Sequence, residues 1–127
     1  MTSPDGLSLR RGPCPVGAVR FLRAASPGTA DRFLITALDL DGRVVGRLDY
    51  RLCHGCRAGY VDAIAITGPW QGYGLGREAV TLMLGHAVAY RWSTSRRSLP
   101  GRRFFAAMAE ETGVVFEGRA VRCTHLR

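Results

Sequence analysis

A β-branched run at residues 60–67 (YVDAIAIT) passes through PWQGYGLG at residues 69–76 into a helical stripe of Leu75, Ala79, Val80, Leu82, Met83 and Ala87. A period of two that becomes a period of 3.6 across one glycine-rich loop specifies a strand-to-helix unit. The strand is apolar enough to sit centrally in a sheet. The chain then has to return over the sheet, so this unit predicts a β-α-β crossover and constrains the fold more than any other feature.

Upstream, residues 16–23, 32–40 and 43–52 read as strands. The last two are joined by Asp41-Gly42, a hairpin pair in which both turn residues would accept positive φ. The segment CHGCRAG makes the next turn. Downstream, residues 89–94 read as a strand, and residues 102–112 as a helix stopped by Gly113. The tail offers one or two last strands. The order β-β-β-β-α-β-α-β, a meander followed by a crossover, predicts an α+β fold with a mostly antiparallel twisted sheet. At 127 residues this is a single domain over 15–127, after a loose Pro/Gly/Ser-bearing arm at 1–14.

Three chemistries compete for the glycine loop. A P-loop needs Gly-Lys-Ser/Thr, and Gly76 is followed by Arg77 and Glu78. A dinucleotide fingerprint fits Gly74-x-Gly76-x-x-Ala79, but needs an acid about 20 residues on, where residues 97–101 supply none. The remaining reading is an anion site. Orphan N–H groups at a helix start carry about half a positive charge, and glycine lets a diphosphate approach the backbone.

The net charge of +8 comes entirely from arginine, since the chain has no lysine. Arginine suits anionic partners, but a chain without lysine is better explained by a compositional bias than by nucleic-acid binding. No apolar run approaches the roughly 20 residues that span a bilayer, and no secretory leader is recognisable. The expectation is therefore a cytoplasmic protein with no membrane partner.

Gln71, Gly74 and Gly76, placed after a buried strand and opening a helix, resemble the acyl-CoA loop of the GNAT superfamily of N-acetyltransferases, in which a glycine at the position of Gly72 is also common. The resemblance runs from about residue 32 to residue 116. It implies a short GNAT-like domain with a β-α-β acyl-CoA core, and acetyl-CoA as co-substrate. An amine of unknown identity would attack the thioester directly.

On the same resemblance, the backbones of Ile64, Ala65 and Ile66 hold the pantetheine arm. The amides of Gly72, Tyr73, Gly74, Leu75, Gly76 and Arg77 hold the pyrophosphate, with the Gln71 and Arg77 side chains beside it. A backbone N–H near Ile66 faces the oxyanion, Asp62 is the candidate base, and Tyr90, Ser93 and Ser95 are candidate acids. The family's acid tyrosine falls at Ala109 and its asparagine at Arg102, so neither is matched. Residues 25–31 (ASPGTAD) leave no room for the helices that normally follow the first strand. The acceptor site is then open to a large substrate or closed by a second subunit. A non-catalytic acyl-CoA-binding or arginine-rich interaction domain on the same fold is the alternative.

Cys53 and Cys56 form a C-x-x-C turn, and Cys123 and His125 lie in the tail. Two thiolates at that spacing grip a zinc ion, and Cys123 and His125 would complete a tetrahedral structural site. The same pattern suits two free thiols in a reducing compartment.

Overall fold

The computed structural model describes residues 8–10, 19–25, 31–95 and 98–118. Seven strands form one sheet in chain order: β1 (Ser8–Arg10), β2 (Val19–Ala25), β3 (Arg32–Leu38), β4 (Val44–Cys53), β5 (Ala58–Ile66), β6 (Arg91–Thr94) and β7 (Phe116–Glu117). Pairing is antiparallel from β1 to β5 and parallel for β5–β6 and β6–β7. Helix α1 (Leu75–Gly85) connects β5 to β6, and α2 (Leu99–Thr112) connects β6 to β7. The predicted meander and crossover are both present.

Three local expectations change. Residues 8–10, expected in a loose arm, form a short strand whose backbone pairs with Val19, Arg20 and Phe21. Edge pairing of this kind needs no apolar signature. At the β3–β4 hairpin only Gly42 has positive φ, at 80°, and Asp41 does not. Asp39 bends this turn instead, its Oδ1 accepting from the N–H groups of Asp41 and Arg43 at 2.9 Å each. Finally, α2 starts at Leu99 rather than 102, because Ser98 caps it and Pro100 occupies its first turn.

One core lies on one face of the sheet. Leu48 and Tyr50 from β4, Val80 and Met83 from α1, and Phe105 and Met108 from α2 are all at most 3% exposed. Each such aliphatic or Phe side chain contributes roughly 1.5–3 kcal/mol on burial. Consecutive parallel crossovers of the same hand place both helices on that face. The opposite face carries Leu22, Arg47, Asp49, Arg51 and Asp62 and no helix among the described residues. No helix among them is long and apolar enough to cross a membrane.

Candidate functional site

The β5–β6 ladder runs for four rungs, from Ala58↔Arg91 to Val61↔Thr94, and stops. On its other side β5 continues to pair with β4, but with a bulge. Tyr50 faces Val61 and Asp49 faces Ala63, so Asp62 is the extra residue. A bulge bends its strand, and past Asp62 β5 pairs with a strand on one side only among the described residues. Thr67 N–H bonds to Val45 O at 2.9 Å. Alternation along the strand then aims the Ala63 and Ala65 backbone groups at β4, and those of Ile64 and Ile66 at the open side. Gln71 marks that side, its Nε2 donating to Ile66 O at 2.9 Å.

The loop after β5 closes the opposite wall. Gly72 and Gly74 have φ of 85° and 80°, a region that costs an ordinary residue roughly 1–2 kcal/mol. Gly76 serves packing instead, because a Cβ there would lie 3.2 Å from the Phe104 ring of α2. Gly74 is the N-cap of α1 and has no side chain to offer, and the first helical bond is Glu78 N–H to Gly74 O. The N–H groups of Leu75, Gly76 and Arg77 therefore lack intrahelical acceptors. Helix α2 differs, since the Ser98 side chain accepts from Gly101 N–H.

These walls enclose a cleft of about 670 Å³. Ile64, Ala65, Ile66, Gln71, Gly72, Gly74, Leu75, Gly76 and Arg77 all line it, so of the expected cofactor-binding set only Tyr73 does not. Sequence reasoning missed the α2 wall of Pro100, Gly101, Phe104 and Met108, and also Trp70. Pro100 was the available signal, as a helix-start residue rather than a break. The Arg77 guanidinium pairs with Glu111 of α2 at 2.9 Å, both more than 45% exposed, which joins the two helices across the cleft's rim.

Asp62 projects on the helix-free face, where both its oxygens accept from Arg51, at 2.9 and 3.0 Å. Beside it Arg32 pairs with Asp49. The hydrogen bond that Arg32 donates to Asp49, then the charges of Asp49 and Asp62, raise the pKa of the Arg32 guanidinium above its ordinary value.

Tyr90 requires a correction as a candidate acid. It stands just before β6, level with Arg57, about 23 Å along β5 from Ile64 at 3.3 Å per residue. There its hydroxyl bonds to His54 Nδ1, and His54 Nε2 lies 3.7 Å from Asp31. Chain order sets it before a strand whose cleft end is Thr94, not Arg91.

Cys53 is buried at the end of β4, and Cys56 is half-buried in the following turn, both without a disulfide. Cys123 and His125 lie outside the described residues. Among the described residues no three His, Cys, Asp or Glu side chains are grouped to hold a metal ion.

No family sequence model matches the chain, and no curated protein matches it in sequence. Solved structures do match in shape. One is a protein of Deinococcus radiodurans R1 described as an acetyltransferase, at TM-score 0.56 and 18% identity over 73% of this chain. Another is the ribosomal-protein-alanine N-acetyltransferase of Brucella melitensis biovar Abortus 2308, at TM-score 0.52 and 20% identity over 76% of this chain. This chain spans 62% of the length of the first and 76% of the second.

Proposed function

We propose that this chain, which has the GNAT fold, is an acyl-CoA-dependent N-acyltransferase that moves acetyl from acetyl-CoA to an amine. The observation that carries the proposal is the uncapped N-terminus of α1, opening with a glycine loop onto a cleft whose other wall is the edge of β5 that no strand among the described residues pairs. Anionic diphosphate suits the first, with the free amides of residues 75–77 as donors. The two amides of a pantetheine arm suit the second, where the arm adds to the sheet edge as an extended peptide would.

In this reading the amine nitrogen attacks the thioester carbonyl from the helix-free face, the C–S bond breaks, and CoA leaves as its thiolate. Ile64 N–H, the open donor nearest the point where β5 and β6 diverge, faces the developing oxyanion. That is one open position inward from Ile66, because the bulge begins the free edge at Asp62. Asp62 takes the amine's proton. Arg51 holds both its oxygens, yet each keeps a second lone pair, so the pairing orients the group without exhausting it. We expect Asp62→Asn to lower turnover about 10²-fold and to leave acetyl-CoA affinity unchanged, read from steady-state kinetics and calorimetry. Unaltered turnover would make the Arg51–Asp62 pair purely structural. The helix-free face favours a large acceptor such as a polypeptide amine, or closure by a second copy.

Calorimetry with acetyl-CoA, followed by free-thiol release against a panel of amines and peptides, tests the proposal. Absence of acetyl-CoA binding ends it. Binding without thiol release for any acceptor supports the second reading, a non-catalytic acyl-CoA-binding domain. Tyr90's distance favours that reading, as does the engagement of Ser98, the hydroxyl residue lining the cleft, as the α2 cap.

A further inference from the structure

The point at which β5 and β6 diverge is closed by a side chain. Ser95 N–H donates to Val61 O at 2.9 Å, and the Ser95 hydroxyl donates to Asp62 O at 2.9 Å. A regular parallel ladder meets only every second β5 carbonyl with a β6 N–H, among them those of Arg57 and Val61. The bulge turns Asp62 O toward β6 as well, and there a hydroxyl meets it in place of a backbone N–H. Two devices therefore coincide: the bulge turns β5 away, and Ser95 ties the strands together just before they separate. The tie spans 33 positions of sequence and is partly buried.

We infer that Ser95 sets the acyl-chain length this cleft accepts. The inference rests on the acyl-CoA reading above. With a diphosphate at the α1 amides, the arm can follow the open edge of β5 in one direction only, from Ile66 toward Asp62, about 13 Å at 3.3 Å per residue. The acyl carbons lie beyond the thioester, so they are the first atoms to meet the tied vertex. A closed vertex admits a short acyl group and turns back a longer one. Without the hydroxyl, Asp62 O loses its partner, and the strands are free to separate a residue deeper. Ser95 acts here through the strands it joins, as a positioning residue that determines specificity.

The test is calorimetry of the wild-type chain and of Ser95→Ala and Ser95→Thr with acetyl-CoA, butanoyl-CoA and hexanoyl-CoA. The wild type is expected to bind butanoyl-CoA about tenfold more weakly than acetyl-CoA, and hexanoyl-CoA more weakly still. Ser95→Ala brings acetyl and butanoyl within about threefold of each other, whereas Ser95→Thr, which keeps the hydroxyl, keeps the wild-type ratio. Equal wild-type affinities along the series overturn the proposal, whether or not Ser95→Ala folds. An unchanged ratio in folded Ser95→Ala, or a relaxed one in Ser95→Thr, overturns it as well. Failure of the acyl-CoA reading itself looks different, because the wild type then binds none of the three thioesters.

Discussion

Gly59→Ala is expected to destabilise the domain by about 3 kcal/mol, the upper end of what overpacking a core costs. Gly59 of β5 faces Trp92 of β6 in the parallel ladder. A Cβ at residue 59 would come within 2.5–2.7 Å of three ring carbons. The ring cannot yield, since Trp92 is 2% exposed and packs against both Tyr50 and Phe116. Backbone φ is not the constraint at this glycine; space is. Chemical denaturation of Gly59→Ala, Trp92→Leu and the double variant forms a cycle. The expected coupling exceeds about 1.5 kcal/mol, within the range measured for residues in contact. A Gly59→Ala variant within about 0.5 kcal/mol of wild type would show that the β5–β6 pair is not packed as described.

The second large effect is on the proposed binding of acetyl-CoA. Gly74→Glu is expected to weaken acetyl-CoA binding by about 100-fold or more, equivalent to roughly 2.7 kcal/mol. Two contributions act together. Residue 74 sits at φ 80°, where a side chain other than glycine costs roughly 1–2 kcal/mol. A carboxylate placed at the mouth of α1 also opposes the diphosphate, and like unit charges about 4 Å apart near a protein surface repel by roughly 4 kcal/mol. Gly74→Asn separates the two, because asparagine tolerates left-handed backbone and brings no charge. Its affinity should fall by less than about tenfold. Calorimetry reads both variants, with thermal melts to establish that each is folded. Wild-type affinity in Gly74→Glu would remove the loop from the proposed acetyl-CoA site.

Much of this site was legible in the sequence because its signals are local. The change of period between residues 60–67 and the α1 stripe placed a strand, a loop and a helix in order. The spacing of Gly72, Gly74 and Gly76 showed where backbone would be bare. It did not show that these glycines do two jobs. Gly72 and Gly74 are read from φ, but Gly76 is explained only by Phe104, a residue 28 positions further on in the chain. Tyr90 illustrates the converse. The sequence places it inside a strand over residues 89–94, whereas it stands just before β6, and which end of that strand meets the cleft depends on register with β5.

The sequence by itself determined the order of strands and helices after β1, and the donor-rich loop at the start of α1. Those follow from periodicity and from the backbone freedom of a few residues, which are properties of neighbours in the chain. Only the tertiary structure decided where β5 leaves β6, that Ser95 ties that point, that Arg51 holds Asp62, and that α2 supplies the second wall. Each of these is a contact between segments 11 or more residues apart. Such contacts are selected by sheet register and core packing, and neither leaves a periodic mark on the residues that make them.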